Sequence, residues 1–164
     1  MKRYALGMSQ AKIDTFAPLL RAARGVDLSD PAAAERELAA RLDPAGEDGR
    51  ALAAELLRLC EAGEVAENGA PPLRWGRVSK ATPETHDLSI DVVLMSAPGP
   101  RHRHPTGEAS FCVAVEGDPT FDGRPPGWVV LPPGSEHVPT VAGGTMLITY
   151  LLPQGKMEFL ERTS

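Results

Sequence analysis

The feature of this 164-residue sequence that most constrains its fold is the uneven distribution of alanine and proline. Seventeen alanines lie in residues 1–70 and five lie after them, whereas three of the sixteen prolines come before residue 71 and thirteen after it. Alanine is the best helix former and proline the worst, so the two parts should differ in structure. We therefore expect a helical region over residues 1–70 and a second, non-helical unit over residues 73–164.

The first part contains three helical patterns. Asp30-Pro31 has the character of a helix cap followed by a first-turn proline, and it predicts a helix over Ala32–Leu42. A second helix, ending before a glycine stop at Gly63, is indicated by apolar residues at helical spacing: Ala51, Leu52, Leu56, Leu59 and Cys60. An earlier pattern at about Gln10–Arg24 contains Pro18, where we expect the helix to be kinked or to begin.

The second part has the pattern of short strands, after a predicted linker or long loop at Glu64–Pro72. One half-buried strand is indicated by apolar residues that alternate with mostly polar ones: Leu88, Ile90, Val92 and Leu94. Further short apolar runs are separated by turns and lie at Phe111–Val115, Trp128–Leu131 and Met146–Leu152. Such spacing favours an antiparallel sandwich or barrel, and it does not support a βαβ dinucleotide-binding sheet.

Charge and hydropathy narrow the class of partner. Lysine and arginine number 17 and the acidic residues 22, a formal net charge of −5, which disfavours nucleic acid or anionic lipid as a ligand. No stretch approaches the roughly 20 apolar residues of a membrane span, and residues 1–7 lack the apolar core of a signal peptide. Cys60 and Cys112 are too few for a disulfide framework and are expected as free thiols. We expect a cytoplasmic protein.

Three of the four histidines form a pattern that is typical of a metal site. His102 and His104 are two residues apart, so on a strand both imidazoles face the same side. Glu108 follows with the same parity, and His137 comes 29 residues later, at the end of Pro132-Pro133-Gly134-Ser135-Glu136-His137. Three imidazoles and one carboxylate suit Fe(II), Mn(II), Zn(II), Ni(II) or Co(II), and they leave coordination positions open for substrate or water.

The same residues resemble the two motifs of the cupin superfamily. The first motif has a glycine, then His-x-His, three residues, Glu and a later glycine. His102, His104, Glu108 and Gly117 correspond to it, and Ser96 stands in the place of the leading glycine. The second has a glycine and then Pro-x-Gly-x-x-His, and corresponds to Gly127, Pro132, Gly134 and His137. Turn and strand lengths depart from the pattern, but the four ligand positions are kept. The resemblance implies a mostly β chain: a small cupin (double-stranded β-helix, jelly-roll-like) barrel that holds the metal inside, with an α-helical N-terminal extension.

Residues 100–159 resemble the 4-hydroxylaminobenzoate lyase family in a longer run. The matching segments are Phe121-Asp122-Gly123, Pro125–Val130, Pro133–Val141 and Gly144–Ile148. The resemblance implies a carbon–nitrogen lyase of nitroaromatic degradation that releases ammonia from 4-hydroxylaminobenzoate and yields protocatechuate. Because the substrate plus water equals the products atom for atom, no nicotinamide or flavin is needed. Our mechanistic hypothesis is that the metal binds the N-hydroxyl group as a Lewis acid.

Further site residues follow from strand parity and from the substrate's chemistry. If the strand after Glu108 is regular, Ser110, Cys112 and Ala114 point inward, and their small size leaves room for an aromatic ring. Glu108 and Glu136 are the candidate acid/base groups, although Glu136 also fits an exposed position. The candidate substrate contacts are Arg124, Cys112, Trp128 and Tyr150, with Arg74 and Arg77 as other sources of a carboxylate-binding guanidinium. Trp128 and Tyr150 equally fit core positions, and each arginine fits the solvated surface.

Two alternatives remain open at this stage. One is a different cupin enzyme, such as an aromatic-ring dioxygenase or an isomerase, and the other is a non-enzymatic metal or small-ligand binder. One fold hosts many reactions, so the motif alone does not separate them. The expected partners are a small aromatic acid and a second copy of the chain in a homodimer, as cupin relatives commonly self-associate, with no nucleic acid and no membrane.

Overall fold

A computed structural model describes residues 12–160 of the chain. The expectations drawn from residues 1–7, and the first two residues of the helix predicted at 10–24, lie outside the described residues. Residues 12–15 are helical, and three further α-helices follow before the strands: α1 (Ala17–Ala23), α2 (Pro31–Arg41) and α3 (Glu47–Glu61). No helix among residues 12–160 is long and apolar enough to cross a membrane.

Helices α2 and α3 confirm the helical predictions, and local chemistry sets their ends. The Asp30 carboxylate accepts a hydrogen bond from the Ala33 amide at 3.3 Å, so it caps the first turn of α2. Helix α3 begins at Glu47, four residues earlier than its apolar pattern shows, with two acidic residues in its first turn. It ends two residues before Gly63, which has a left-handed φ of 73°.

Within residues 12–160, nine strands form two antiparallel sheets. The strands are β1 (Asn68–Ala70), β2 (Leu73–Ser79), β3 (Leu88–Met95), β4 (His102–His104), β5 (Glu108–Phe121), β6 (Gly127–Leu131), β7 (Ser135–His137), β8 (Val141–Pro153) and β9 (Glu158–Phe159). The large sheet has the order β1-β2-β3-β8-β5-β6, and the small sheet has the order β7-β4-β9. The chain is mostly β with a helical N-terminal portion, as predicted, and its strands form these two sheets. The linker prediction is wrong at β1, which pairs with β2.

The helices cover one face of the large sheet. Phe111 and Trp128 from the sheet share a buried apolar cluster with Leu38 and Leu56 from the helices. The Trp128 indole N–H donates to the carbonyl oxygen of Leu42 at 2.9 Å, which fixes the end of α2 against β6. The helical part and the sheet therefore share one core, and the division at residues 70–73 stays a prediction.

The opposite face of the large sheet is turned toward the small sheet. Its buried apolar residues form a second cluster: Met95, Cys112, Phe121, Val129, Val141, Met146, Ile148, Tyr150 and Leu152. Cys112 lies on this inner face, and Phe111 and Val113 on the helix face, as strand parity predicts. Ala114 is exposed instead, because β5 bulges between Ala114 and Glu116 and leaves the core there.

Candidate metal centre

Three imidazoles converge from the two adjacent strands β4 and β7 of the small sheet. His102 and His104 alternate with Arg103, so their rings share one face of β4. Antiparallel pairing sets His137 of β7 directly opposite His102. As a result, His137 Nε2 lies 2.8 Å from His102 Nε2 and 3.1 Å from His104 Nε2.

The carboxylate of Glu108 reaches the same point from the large sheet. Glu108 opens β5, and Gly107 before it has a left-handed φ of 86°. A β-carbon at Gly107 would lie 3.0 Å from the Leu131 carbonyl oxygen, so glycine permits this tight passage between the sheets. Glu108 Oε2 lies 2.5 Å from His104 Nε2 and 3.8 Å from His137 Nε2.

The hydrogen bonds of the rings show why a cation fits here. His102 Nδ1 is 3.1 Å from the Pro100 carbonyl oxygen, which can only accept, so this nitrogen carries the proton. His137 Nδ1 likewise faces the Asp122 carboxylate, at 2.6 Å. In the neutral rings both Nε2 atoms then present lone pairs, 2.8 Å apart and beside a buried carboxylate. Two facing lone pairs repel each other, and either a shared proton or a metal ion between them relieves that repulsion.

The distances between the donor atoms and the protonation state of His102 both suit a bound metal ion. The four donor atoms lie within 4.8 Å of one another. Ligands about 2.1 Å from an ion and at right angles to each other would be about 3.0 Å apart, close to the two imidazole separations. Burial and the neighbouring rings of His104 and His137 lower the pKa of His102 to about 4, so the ring is neutral and able to bind a metal at neutral pH. The residues therefore fit a divalent metal.

Two further side chains orient the ligands. Asp122, in the turn after β5, holds His137 through Oδ2, and its Oδ1 accepts from the Thr140 amide at 2.8 Å. The Ser110 hydroxyl donates to Glu108 Oε1 and so fixes the direction in which Oε2 points. Asp122 is a site residue that was not predicted from the sequence, where its only signal is its place in the Phe121-Asp122-Gly123 segment.

A largely apolar cavity of about 650 Å³ begins at the metal centre, since His102 forms part of its wall. Strand parity predicts space for a ring beneath β5, but the buried apolar cluster of the inner face lies there. The cavity lies instead beside β2, β3, β8 and β9, and its apolar lining includes Leu73, Trp75, Val93, Met95, Leu152, Met157 and Phe159. Tyr150 also lines it, and burial raises the pKa of its phenol well above the usual value, so the hydroxyl stays protonated.

The structure does not bring every predicted site residue to this centre. Trp128 lies on the helix face of the large sheet, where its indole is bound to a backbone carbonyl. Arg124 pairs with Glu35 of α2 at 2.5 Å, also away from the cavity. Glu136 alternates with His137 on β7 and points to the outside, where it pairs with Arg101 at 2.8 Å.

Cys112 is buried among the inner apolar side chains, and it does not line the cavity. Burial raises the pKa of its thiol, which keeps it protonated and makes it a poor metal ligand. The structure thus gathers His102, His104, Glu108 and His137 at one point and sets Tyr150 in the adjoining wall. It leaves Trp128, Arg124 and Glu136 outside.

The sequence matches a family of known proteins. A family model described as PnbB: 4-hydroxylaminobenzoate lyase matches residues 26–159. Two curated relatives with the name 4-hydroxylaminobenzoate lyase are 27% identical over 109 residues (Pseudomonas putida) and 29% identical over 101 residues (Nocardioides sp.). Each match covers 57% of this chain, and the chain spans 62% and 60% of those relatives. A cupin protein from Ralstonia eutropha has 16% identity and a TM-score of 0.42, over 56% of this chain and 62% of its own.

Proposed function

The chain belongs to the PnbB 4-hydroxylaminobenzoate lyase family, and from that premise we propose that it is a metal-dependent carbon–nitrogen lyase acting on a hydroxylamino-aromatic acid. The proposed reaction converts 4-hydroxylaminobenzoate and water into protocatechuate and ammonia. Atoms and electrons balance without an external oxidant or reductant. The observation that carries the proposal is the cluster of three imidazoles and one carboxylate, of which His102 lines an apolar cavity.

Each ligand has a role that its surroundings support. His102, His104, His137 and Glu108 would hold the ion, and a bound divalent metal would supply Lewis acidity toward an oxygen of the substrate. The Ser110 hydroxyl donates to Glu108 Oε1, whereas Oε2 is buried, has no hydrogen-bond partner among the described residues and faces His104, so it is left for the ion. We therefore assign Glu108 to metal binding rather than to free acid/base work.

The cavity supplies the remaining functions. Its volume lies within the range of about 300–1,000 Å³ that is usual for small-molecule sites, which is ample for a single aromatic ring. The apolar wall packs against the ring and excludes water, which strengthens polar interactions at the reacting end. Within the described part of the chain, the protonated Tyr150 hydroxyl has only the Met95 sulfur as a hydrogen-bond partner, at 3.9 Å, and it can donate to a substrate oxygen instead.

The test is ammonium release from 4-hydroxylaminobenzoate under anaerobic conditions, by purified protein loaded with Mn(II) or Fe(II). We expect ammonium and a dihydroxybenzoate in equal amounts, and no turnover by protein stripped of metal. His137→Ala should lose both metal and activity. His86→Ala is the matched control, because His86 lies in the turn after a short 3-10 helix and is not among the clustered donors.

Other outcomes identify the alternatives. Turnover that requires oxygen would indicate a ring dioxygenase, and tight metal binding without product would indicate a binding protein. Undiminished turnover by metal-free protein would refute the proposal. A cytoplasmic location and a homodimer also remain proposals, and light scattering on the purified protein checks the second.

A further inference from the structure

The cavity wall carries one permanent cation, the Arg77 guanidinium on β2, among the described residues that line it. Arg77 Nε lies 2.8 Å from Asp91 Oδ1, and Arg77 Nη2 lies 3.3 Å from Asp91 Oδ2. We propose that Arg77 binds the carboxylate of an aromatic acid whose other end lies at the metal centre. This inference rests on the proposed function and names the residue that selects an acid over a neutral ring.

Strand parity separates Arg77 from the other candidate arginines. Leu73, Trp75 and Arg77 share the face of β2 that lines the cavity. Arg74 is on the opposite face, where its Nε donates to the Ala66 carbonyl oxygen at 3.0 Å. Arg124 is held by Glu35 at the helix side of the large sheet. Of the three guanidiniums considered, only that of Arg77 can reach a ligand in the cavity.

The distance from Arg77 to the ligand Glu108 suits a single para-substituted ring. In the register of the large sheet, Arg77 lies opposite Asp91, and Asp91 lies opposite Tyr150. Tyr150 lies opposite Ser110, which is two residues from Glu108 on β5. Three strand spacings of about 4.8 Å and two residue rises of about 3.3 Å give a Cα separation of at most about 16 Å. The two side chains, one ion and one benzoate ring together span that distance.

Arg77 has donors left for a carboxylate. A guanidinium has five N–H groups, and Asp91 engages two of them. Asp91 is itself held by the Ser89 hydroxyl at 3.1 Å, so it fixes the guanidinium at the cavity wall. With 42% of its side chain exposed, Arg77 is open to a ligand that enters from solvent.

The test compares 4-hydroxylaminobenzoate with hydroxylaminobenzene, which lacks the carboxylate. We expect Arg77→Gln to lower kcat/KM for the acid about tenfold, mainly through KM, since hydrogen bonds to charged groups at half-exposed positions lie at the lower end of their range. For the neutral substrate kcat/KM should change less than twofold. Equal losses for both substrates, or no loss for the acid, would overturn the proposal.

A double variant removes an ambiguity in that measurement. Arg77→Gln also uncovers the Asp91 charge, which could repel the acid by itself. In Arg77→Gln with Asp91→Asn that charge is absent, so a persistent loss supports direct binding by Arg77, and full recovery overturns it. Arg124→Gln tests the rival guanidinium, and Arg58→Gln, on the exposed surface of α3, is the matched control.

A binding assay separates this inference from the proposed function. If the wild-type protein releases no ammonium from either substrate, calorimetry with 4-aminobenzoate and aniline on the metal-loaded protein decides the role of Arg77. About tenfold weaker binding of the acid to Arg77→Gln, with aniline unaffected, would support it. Equal binding of the acid to the wild type and the variant would overturn it.

Discussion

The carboxylate of Asp122 offers the sharpest test of how the metal centre is built. Its two oxygens accept from His137 Nδ1 and from the Thr140 amide. Asparagine keeps the shape but has a single acceptor oxygen, so in Asp122→Asn one of these donors faces an NH2 group. The His137 ring is then less firmly oriented, and its Nε2 becomes a weaker ligand.

The expected loss of metal affinity follows from the hydrogen bond between Asp122 and the ligand His137. Losing such a partner usually weakens metal affinity about 10–100-fold. Since each factor of ten is about 1.4 kcal/mol, we expect a loss of about 1.4–2.8 kcal/mol in the free energy of Co(II) binding. Metal-free Asp122→Asn should also unfold more easily, because a partly buried donor loses its partner.

The assay is competition between the protein and a chelating dye for Co(II), with the free energy of unfolding measured on metal-free samples. Glu136→Gln is the matched control, since Glu136 adjoins His137 in sequence but pairs with Arg101 on the outside. Its affinity should stay within twofold of the wild type. If folded Asp122→Asn bound Co(II) as tightly as the wild type, the assigned role of this carboxylate would be wrong.

Three other outcomes test the surrounding fold. Trp128→Phe should lower the free energy of unfolding by about 1–2 kcal/mol, through the lost indole hydrogen bond, and leave Co(II) affinity unchanged. Cys60 and Cys112 should react slowly with a disulfide reagent in the native protein and fully once it is denatured, because burial raises the pKa of both thiols. Gly117→Ala should cost more stability in denaturant unfolding than Gly123→Ala. Both glycines have a left-handed φ, but a β-carbon at Gly117 would lie 2.6 Å from a carbonyl oxygen and one at Gly123 would contact nothing. A smaller loss at Gly117 would contradict the β5–β8 geometry.

The sequence predicts the local parts of this structure well. The cap at Asp30 and the stop at Gly63 depend on a few adjacent residues, so α2 and α3 can be recognised from them. The strand parity that sets His102 beside His104 is equally local. Strand β1 was missed because three exposed residues, Asn68–Ala70, carry no alternation of apolar and polar side chains.

The features that could not be predicted from the sequence depend on contacts between segments that are distant along the chain. Trp128 has the character of a substrate contact in the sequence, but which face of β6 meets the helices is decided by the whole sheet. In the sequence Asp122 resembles an ordinary turn residue. It becomes a partner of His137 only because the fold brings β7 next to the turn after β5. The cavity lies beside β2 because Phe121, Val129 and other inner side chains occupy the space under β5.

The unequal size of the two sheets has a consequence for how the protein keeps its shape. Three of the four donors belong to strands of three residues, whereas Glu108 begins a strand of fourteen in a six-stranded sheet. A cation bound by all four donors would link the small three-stranded sheet to the large six-stranded sheet and so stabilise the small one. Backbone amides of β4 and β7 should therefore exchange with deuterium faster after chelation, while those at the centre of β8 keep their protection.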